Sequence, residues 1–202
     1  MLRIRNVNVY YRVVSATDTA RSRRRGAELE HALYEATVRE LAESGYGRLT
    51  MEGIAARAHT GKAAVYRRWS TKQALVLDAL RHSLPPLPGF EPEMPPRDNL
   101  RAVFTVLCQV FGGRTSFPGL AVITGLVADP VLRNAIVEHI VSPRLRVIES
   151  ILDNAVRTGE IDAVAPMAVH IGPALVMHAF LLTGNPPDDA EIDRIVDSVL
   201  GV

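Results

Sequence analysis

TMEGIAARAHTGKAAVYRRWSTK, residues 50–72, is the segment around which the rest of the chain falls into place. It parses as two short helices joined at a tight turn. Thr50 stands where a hydroxyl caps a helix, and Glu52 falls in the first turn, where the helix dipole favours an acid. Ile54, Ala55 and Ala58 share a small apolar face, and His59, Thr60 and Gly61 break the helix. In the second helix, over residues 62–69, Val65 and Trp69 are spaced i, i+4 and turn inward together. Ala63, Ala64, Tyr66, Arg67 and Arg68 are left facing out. Small residues at the N-terminal end let the backbone approach base edges in a major groove, and Lys62 can donate to guanine O6 and N7. The same spacing also fits a surface helical hairpin whose basic face is merely solvated.

Charge is divided unevenly around this segment. The net charge is +1. Residues 21–82 hold twelve Lys/Arg against seven Asp/Glu, whereas residues 83–202 hold eight against fourteen. A basic front half on an acidic remainder suits a nucleic-acid-binding head carried by a body that does not touch nucleic acid. The chain has only two lysines, Lys62 and Lys72, and both lie in the segment. With 202 residues, 48% hydrophobic and 22% charged, the chain is globular in composition and long enough for a real core. The lone Cys108 excludes an intrachain disulfide and a cysteine-based zinc site, and fits a reducing, cytoplasmic setting.

From Arg24 to Leu80 the sequence resembles the N-terminal DNA-binding domain of TetR-type (TetR/AcrR) one-component transcriptional regulators. The likeness rests on Gly45-Tyr46-Gly47, Leu49-Thr50, Ile54-Ala55, Ala58, the run from Gly61 to Trp69, and Lys72-Gln73-Ala74-Leu75. Three positions depart from the pattern. His59 stands where glycine is usual in the turn, Thr60 where an apolar residue is expected, and Ala64 where a hydroxyl usually precedes the Val-Tyr pair. The turn therefore calls for a left-handed histidine, and the contact made by that hydroxyl does not carry over.

Working outward, helix 1 is expected over 25–44, with Leu29, Leu33, Ala36 and Leu41 inward and Gly45 as its stop. Before it, Arg21, Arg23, Arg24 and Arg25 form a basic arm able to lie along phosphates or enter a narrow minor groove. Residues 1–20 have no clean period and no signal-peptide pattern, and are expected to be a disordered extension. Ser70-Thr71-Lys72-Gln73 has the form of a capping box opening helix 4, with Lys72 in the first turn facing an anion. The prolines of residues 83–96 exclude a helix there and mark the domain boundary.

The body, 97–202, is expected to be helical throughout. A helix over 97–111 should end at Gly112-Gly113, and Ser116-Phe117-Pro118 should open the next. Asp129-Pro130 and Ser142-Pro143 each pair a capping side chain with proline, so each should start a helix. Asp188 and Glu191 cap the last one. From Ala163 to Pro187 no Asp, Glu, Lys or Arg occurs. A membrane span is one reading of that stretch, but Pro166, Gly172 and Pro173 interrupt it and no basic cluster flanks it. Burial against a partner fits better. With the stripe Ile192, Ile195, Val196 and Val199 of the last helix, and with Leu175 and Leu182, it suggests a four-helix homodimer interface. The stretch from Gly172 to Pro187 also looks like the C-terminal domain of one TetR-type subgroup.

That resemblance implies a cavity for a small, largely apolar effector among the body helices. The candidate lining is Phe104, Leu107, Cys108, Phe111, Leu120, Ile123, Thr124, Val127, Ile148, Leu152, Met177 and His178, with Cys108, Thr124 and His178 as orienting groups. Nothing points to an enzyme. No HExxH, GxSxG or phosphate-binding loop occurs, and His139, His170 and His178 are not spaced as a helical metal pair. No cofactor is expected. The expectation is an all-α homodimeric repressor, with an N-terminal three-helix helix-turn-helix domain and a larger C-terminal helical domain for effector and dimer. In it Lys62, Ala63 and Arg67 meet base edges of double-stranded DNA, while Thr50, Tyr66, Arg68, Lys72 and the arm hold phosphates. The rival readings are a ligand-independent architectural DNA-binding dimer and a membrane-associated helical protein.

Overall fold

A computed structural model describes residues 16–115, 122 and 125–201, with residues 16–25 described as backbone alone. Among the described residues all regular structure is helical. Helix α1 spans Ala16–Ser44, α2 Met51–Arg57, α3 Lys62–Tyr66 and α4 Lys72–Ser83. In the body, α5 spans Pro96–Phe111, α6 Pro130–Ile136, α7 Ser142–Thr158, α8 Ala168–Thr183 and α9 Asp189–Leu200.

Helix α1 begins nine residues earlier than expected, so part of the presumed extension and the whole basic arm are wound into it. No proline or glycine falls between Ala16 and Arg25, and alanine and arginine are good helix formers. Once the packed part of α1 has nucleated, the helix propagates back through such residues. Residues 1–15 lie outside the described part. Leu33, Ala36 and Leu41 are buried against α4 and α2, and Gly45 closes the helix at φ 74°.

The turn between α2 and α3 takes the form its histidine implied: His59 has φ 50°, left-handed. Thr50 caps α2 by accepting from Gly53 N at 3.0 Å. Val65 is fully buried and Trp69 nearly so. The Trp69 ring meets Tyr34 edge-on at 5.7 Å, and its Nε1 donates to Asp78 Oδ2 at 2.9 Å. Helix α4 is capped by Thr71, which accepts from Ala74 N, and not by Ser70, so the expected capping box shifts by one residue and loses its Gln73 arm.

The linker between α4 and α5 contains no helix, but it is not loose. Asn99 is buried, accepts from Glu91 N at 3.1 Å and donates Nδ2 to Glu91 O and Met94 O. One side chain thus staples the proline-rich segment onto the first turn of α5.

Asp129 caps α6 as expected, accepting from Val131 N and Leu132 N. Ser142-Pro143 does not start a separate helix. Residues Val137–Val141 form a π turn with right-handed dihedrals at both ends, so α6 runs through it into α7. Proline has no N–H and crowds the preceding turn, and widening that turn accommodates it without breaking the helix. The helix expected to open at Ser116-Phe117-Pro118 lies largely outside the described residues.

Two hydrophobic clusters hold the molecule. The second joins α5, α7, α8 and α9. The first is the head core, but it also takes in Val110, Leu132, Ile136 and Ile140, because α6 packs directly on α4. The proline-rich boundary divides the sequence more sharply than it divides the packing. Inside the body, Gly172 meets the ring of Phe104 so closely that a Cβ there would lie 2.1 Å from Cζ.

Candidate nucleic-acid interface and ligand cavity

On α3, Lys62 and Ala63 are exposed, with Tyr66 and Arg67 on the same open surface and Ala64 partly covered. The helix is short because Val65 and Trp69 anchor it at one side while Gly61 supplies a cap without a side chain. Its lysine is already engaged within the chain. Lys62 Nζ lies 2.9 Å from Glu52 Oε1 on α2, and Tyr66 OH donates to the same carboxylate at 3.2 Å. The hydrogen bond from Lys62 holds the Glu52 carboxyl below the usual carboxylate range, and Glu52 holds the ammonium above its own.

Arg68 turns back toward α1, its Nε 3.3 Å from Glu30 Oε1 and its Nη1 on Ala64 O. Lys72 Nζ donates to Tyr46 O at 3.0 Å and sits 4.1 Å from the centroid of the Tyr46 ring. It therefore clasps the Gly45–Gly47 turn at the start of α4. Arg57, not singled out from the sequence, ties α2 to α1 through both oxygens of Glu43 and one of Glu40. The signal for it was there, an arginine at the end of α2, but its acids are fourteen and seventeen residues away. The side chains of Arg23, Arg24 and Arg25 lie outside the described residues.

In the body, a cavity of about 410 Å³ opens where α4 meets α5, α7 and α8. Leu80 of α4 and Leu84 just past its end form one wall, and the α5 stripe Val103, Leu107 and Val110 forms another. Of the residues expected to line it, Leu107, Phe111, Ile148 and Met177 do so. Phe104 and Leu152 are packed in the core beside it, and Cys108 faces a separate groove near Asp188. Burial pushes the Cys108 thiol up to about 11, so it remains protonated at neutral pH. Val127 and His178 are exposed and take no part in the lining. Leu120, Ile123 and Thr124 lie outside the described residues. Arg144 and His170 are the polar side chains that line the cavity among the described residues, and neither was foreseen.

Ile192, Ile195, Val196 and Val199, expected between two chains, are instead buried inside their own, against α5 and α8. The stripe was real but its partner is intramolecular. Leu175 is half-buried on the rim of the same core. Leu182 is 73% exposed and the neighbouring Leu181 is 65% exposed, both on the charge-free α8. No helix among the described residues is long and apolar enough to cross a membrane.

A two-helix motif with an open cationic helix, carried on an all-helical body with its own cavity, defines a helix-turn-helix regulator of transcription. Residues 33–79 match the family described as bacterial regulatory proteins, tetR family, and residues 95–199 match the tetracyclin repressor-like C-terminal domain. The chain belongs to the TetR family and is a DNA-binding transcriptional regulator of the repressor type. It is 32% identical over 178 residues to an uncharacterized HTH-type transcriptional regulator of Mycobacterium tuberculosis, covering 85% of each chain. It is 32% identical over 185 residues to a DNA-binding transcriptional repressor of Mycobacteroides abscessus, covering 87% of this chain and 94% of that one. Among solved structures, a TetR family transcription regulator matches at 27% identity with TM-score 0.57, over 87% of this chain and 96% of that chain. The family is one of regulators and not typically of enzymes.

Proposed function

We propose that the chain acts in the cytoplasm as a homodimeric repressor, released from a pseudo-palindromic operator when a small effector enters the body cavity. The observation that carries this is the shared wall: Leu80 of α4, the last helix of the DNA-binding head, and Leu84, the residue that caps that helix, also line the cavity. A molecule seated there touches the head and the body at once. It shifts the equilibrium between two head positions by as much as it prefers one of them.

On DNA, Lys62, Ala63 and Arg67 meet base edges, with Ala64 keeping the helix surface low. Thr50 and Tyr66 face phosphates. The Lys62–Glu52 pair is exposed, so exchanging its carboxylate for a base edge or phosphate costs little. Arg68 and Lys72 contribute by bracing α3 and the start of α4 as much as by direct contact, and the arm Arg23–Arg25 would extend along the backbone from α1. The exposed Leu181 and Leu182, on a helix without charge, form the center of the proposed face between two copies.

Selection of bound sites from random duplexes with the full chain tests this. The expected result is a palindrome with half-sites about one helical turn or more apart, lost when Leu182→Glu makes the protein monomeric. Half-site binding by a protein that stays monomeric at all concentrations would refute the dimeric reading. Unchanged operator affinity in a cavity-filling Leu107→Trp variant and with every cavity-binding compound would refute the effector reading.

A further inference from the structure

The cavity is apolar except at two side chains, Arg144 and His170. Arg144 enters it from the first turn of α7, immediately after Pro143, and the wall around it is Val, Leu, Ile, Phe, Met, Ala and Pro apart from His170. The π turn of Val137–Val141 is what puts it there. Ser142 N reaches back to Val137 O, and Arg144 Nη1 donates to Ile140 O at 2.9 Å within the widened turn. Turns of this kind are retained where a side chain must be aimed at a site.

One carbonyl satisfies one of the five guanidinium donors. No carboxylate of the described residues pairs with Arg144, and burial alone pushes the guanidinium down from the ordinary arginine range, with no neighbouring acid acting against it. Arg57, Arg68, Arg97 and Arg101, by contrast, each face an acid. A half-buried cation in an apolar wall, with one donor on a carbonyl and no acid beside it among the described residues, is placed to receive an anion.

We infer that the effector is an amphipathic monoanion, an apolar body with a single carboxylate or comparable anionic head, whose head pairs with Arg144 while its body lies against the α4 and α5 walls. This rests on the effector reading above and names the chemistry of that site. A planar fork meeting a carboxylate gives two parallel hydrogen bonds and a fixed orientation. Apart from His170 the remaining lining residues are apolar, so they select for hydrophobic bulk, and the permanently charged Arg144 sets the class of head group.

The test uses the full-length dimer and three probes of matched length: decanoate, decanol and methyl decanoate, with binding read by calorimetry or thermal shift. In the parent protein decanoate is expected to bind at least about tenfold more tightly than either neutral probe, as a charge-assisted pair should. Arg144→Gln should bring the three within about threefold of one another while leaving decanol where it was, and Arg144→Lys should restore part of the preference. Because removing Arg144 also frees Ile140 O, the ratio of acid to alcohol is the readout, which a purely structural role would not move. Leu107→Trp should abolish binding of all three. Equal binding of acid and alcohol to the parent overturns the assignment of Arg144 and leaves the cavity as an effector site. No binding of any probe to the parent overturns this inference together with the effector reading.

Discussion

The surface of the head and the cavity of the body hold their cations in opposite ways. On the head, Lys62 leans on Glu52, Arg57 on Glu43 and Glu40, and Arg68 on Glu30, all through exposed or half-exposed pairs between neighbouring helices. In the body cavity, Arg144 has a backbone carbonyl and no acid. Exposed pairs are weak, so a phosphate can replace the acid with little loss, and until then the pairs fix the relative positions of α1, α2 and α3. A half-buried cation with no acid beside it has no such partner to exchange and keeps donors for what enters. The two regions also differ in how they are closed. The head core is sealed by aromatic contacts around Trp69, the body core by the close approach of Gly172 to Phe104.

Trp69→Ala should produce the largest change. Emptying a buried tryptophan site costs about 3–5 kcal/mol, and it also leaves Asp78 without its indole donor. Amide exchange in α2, α3 and α4 should rise steeply while α8 and α9 keep their protection. Equal loosening of both regions would show that the packing of α6 on α4 makes one cooperative unit of them.

Gly172→Ala comes next and strikes the other core. A methyl group would fall inside the Phe104 ring, and overpacking of this kind costs about 1–3 kcal/mol, partly offset by about 1 kcal/mol of better helix propensity. The melting temperature should fall, and Phe104→Leu in the same chain should recover part of the loss. Recovery is the informative result, since it ties the loss to that single contact.

Lys62→Ala and Lys72→Ala separate reading from bracing on the head. Lys62→Ala should cost about 1–3 kcal/mol on the preferred operator and relax preference at one base pair. Lys72→Ala removes a lysine that clasps Tyr46 O and the Tyr46 ring. It should weaken binding on all sequences alike. Titration of both variants on specific and random duplexes at two salt concentrations distinguishes these outcomes.

The same division governs what could be read before the fold was known. Short-range signals were legible: the Thr50 cap, the left-handed turn at His59, the Asp129 cap, and the reciprocal Asp188–Glu191 capping box all depend on residues within a few positions. The inward turn of Val65 and Trp69 was legible for the same reason. What failed depended on distant partners. The apolar stripe of α9 looks the same in sequence whether it meets α5 and α8 of its own chain or a second copy. Pro143 reads as a helix start unless the π turn that absorbs it is known. Arg144 carries no local signal, because an arginine after a proline says nothing of a cavity assembled from α4, α5 and α8.

Acid gives the smallest and most selective effect. Glu43 and Glu52 have carboxyls held below their ordinary range, Glu43 by its hydrogen bonds from Arg57 and Glu52 by that from Lys62. A carboxylate whose folded value is depressed contributes stability that is fully present above its unfolded value, near 4.5, and lost as pH falls through the lower folded value. Between neutral pH and about 5 both pairs therefore stay charged, and operator binding should show no contribution from either. Below the ordinary carboxylate range the ties between α1 and α2 and between α2 and α3 should loosen before α8 does, since α8 carries no Asp, Glu, Lys or Arg, while the Arg97–Asp197 and Arg101–Asp193 pairs between α5 and α9 are also exposed to acid. Amide exchange followed downward in pH should show α2 and α3 losing protection first, and Glu52→Gln should remove the α2–α3 part of that dependence while strengthening DNA binding severalfold at low salt, since one negative charge beside the groove is gone. An acid response of α2 and α3 that Glu52→Gln leaves unaltered would assign it to the Arg57 cluster alone.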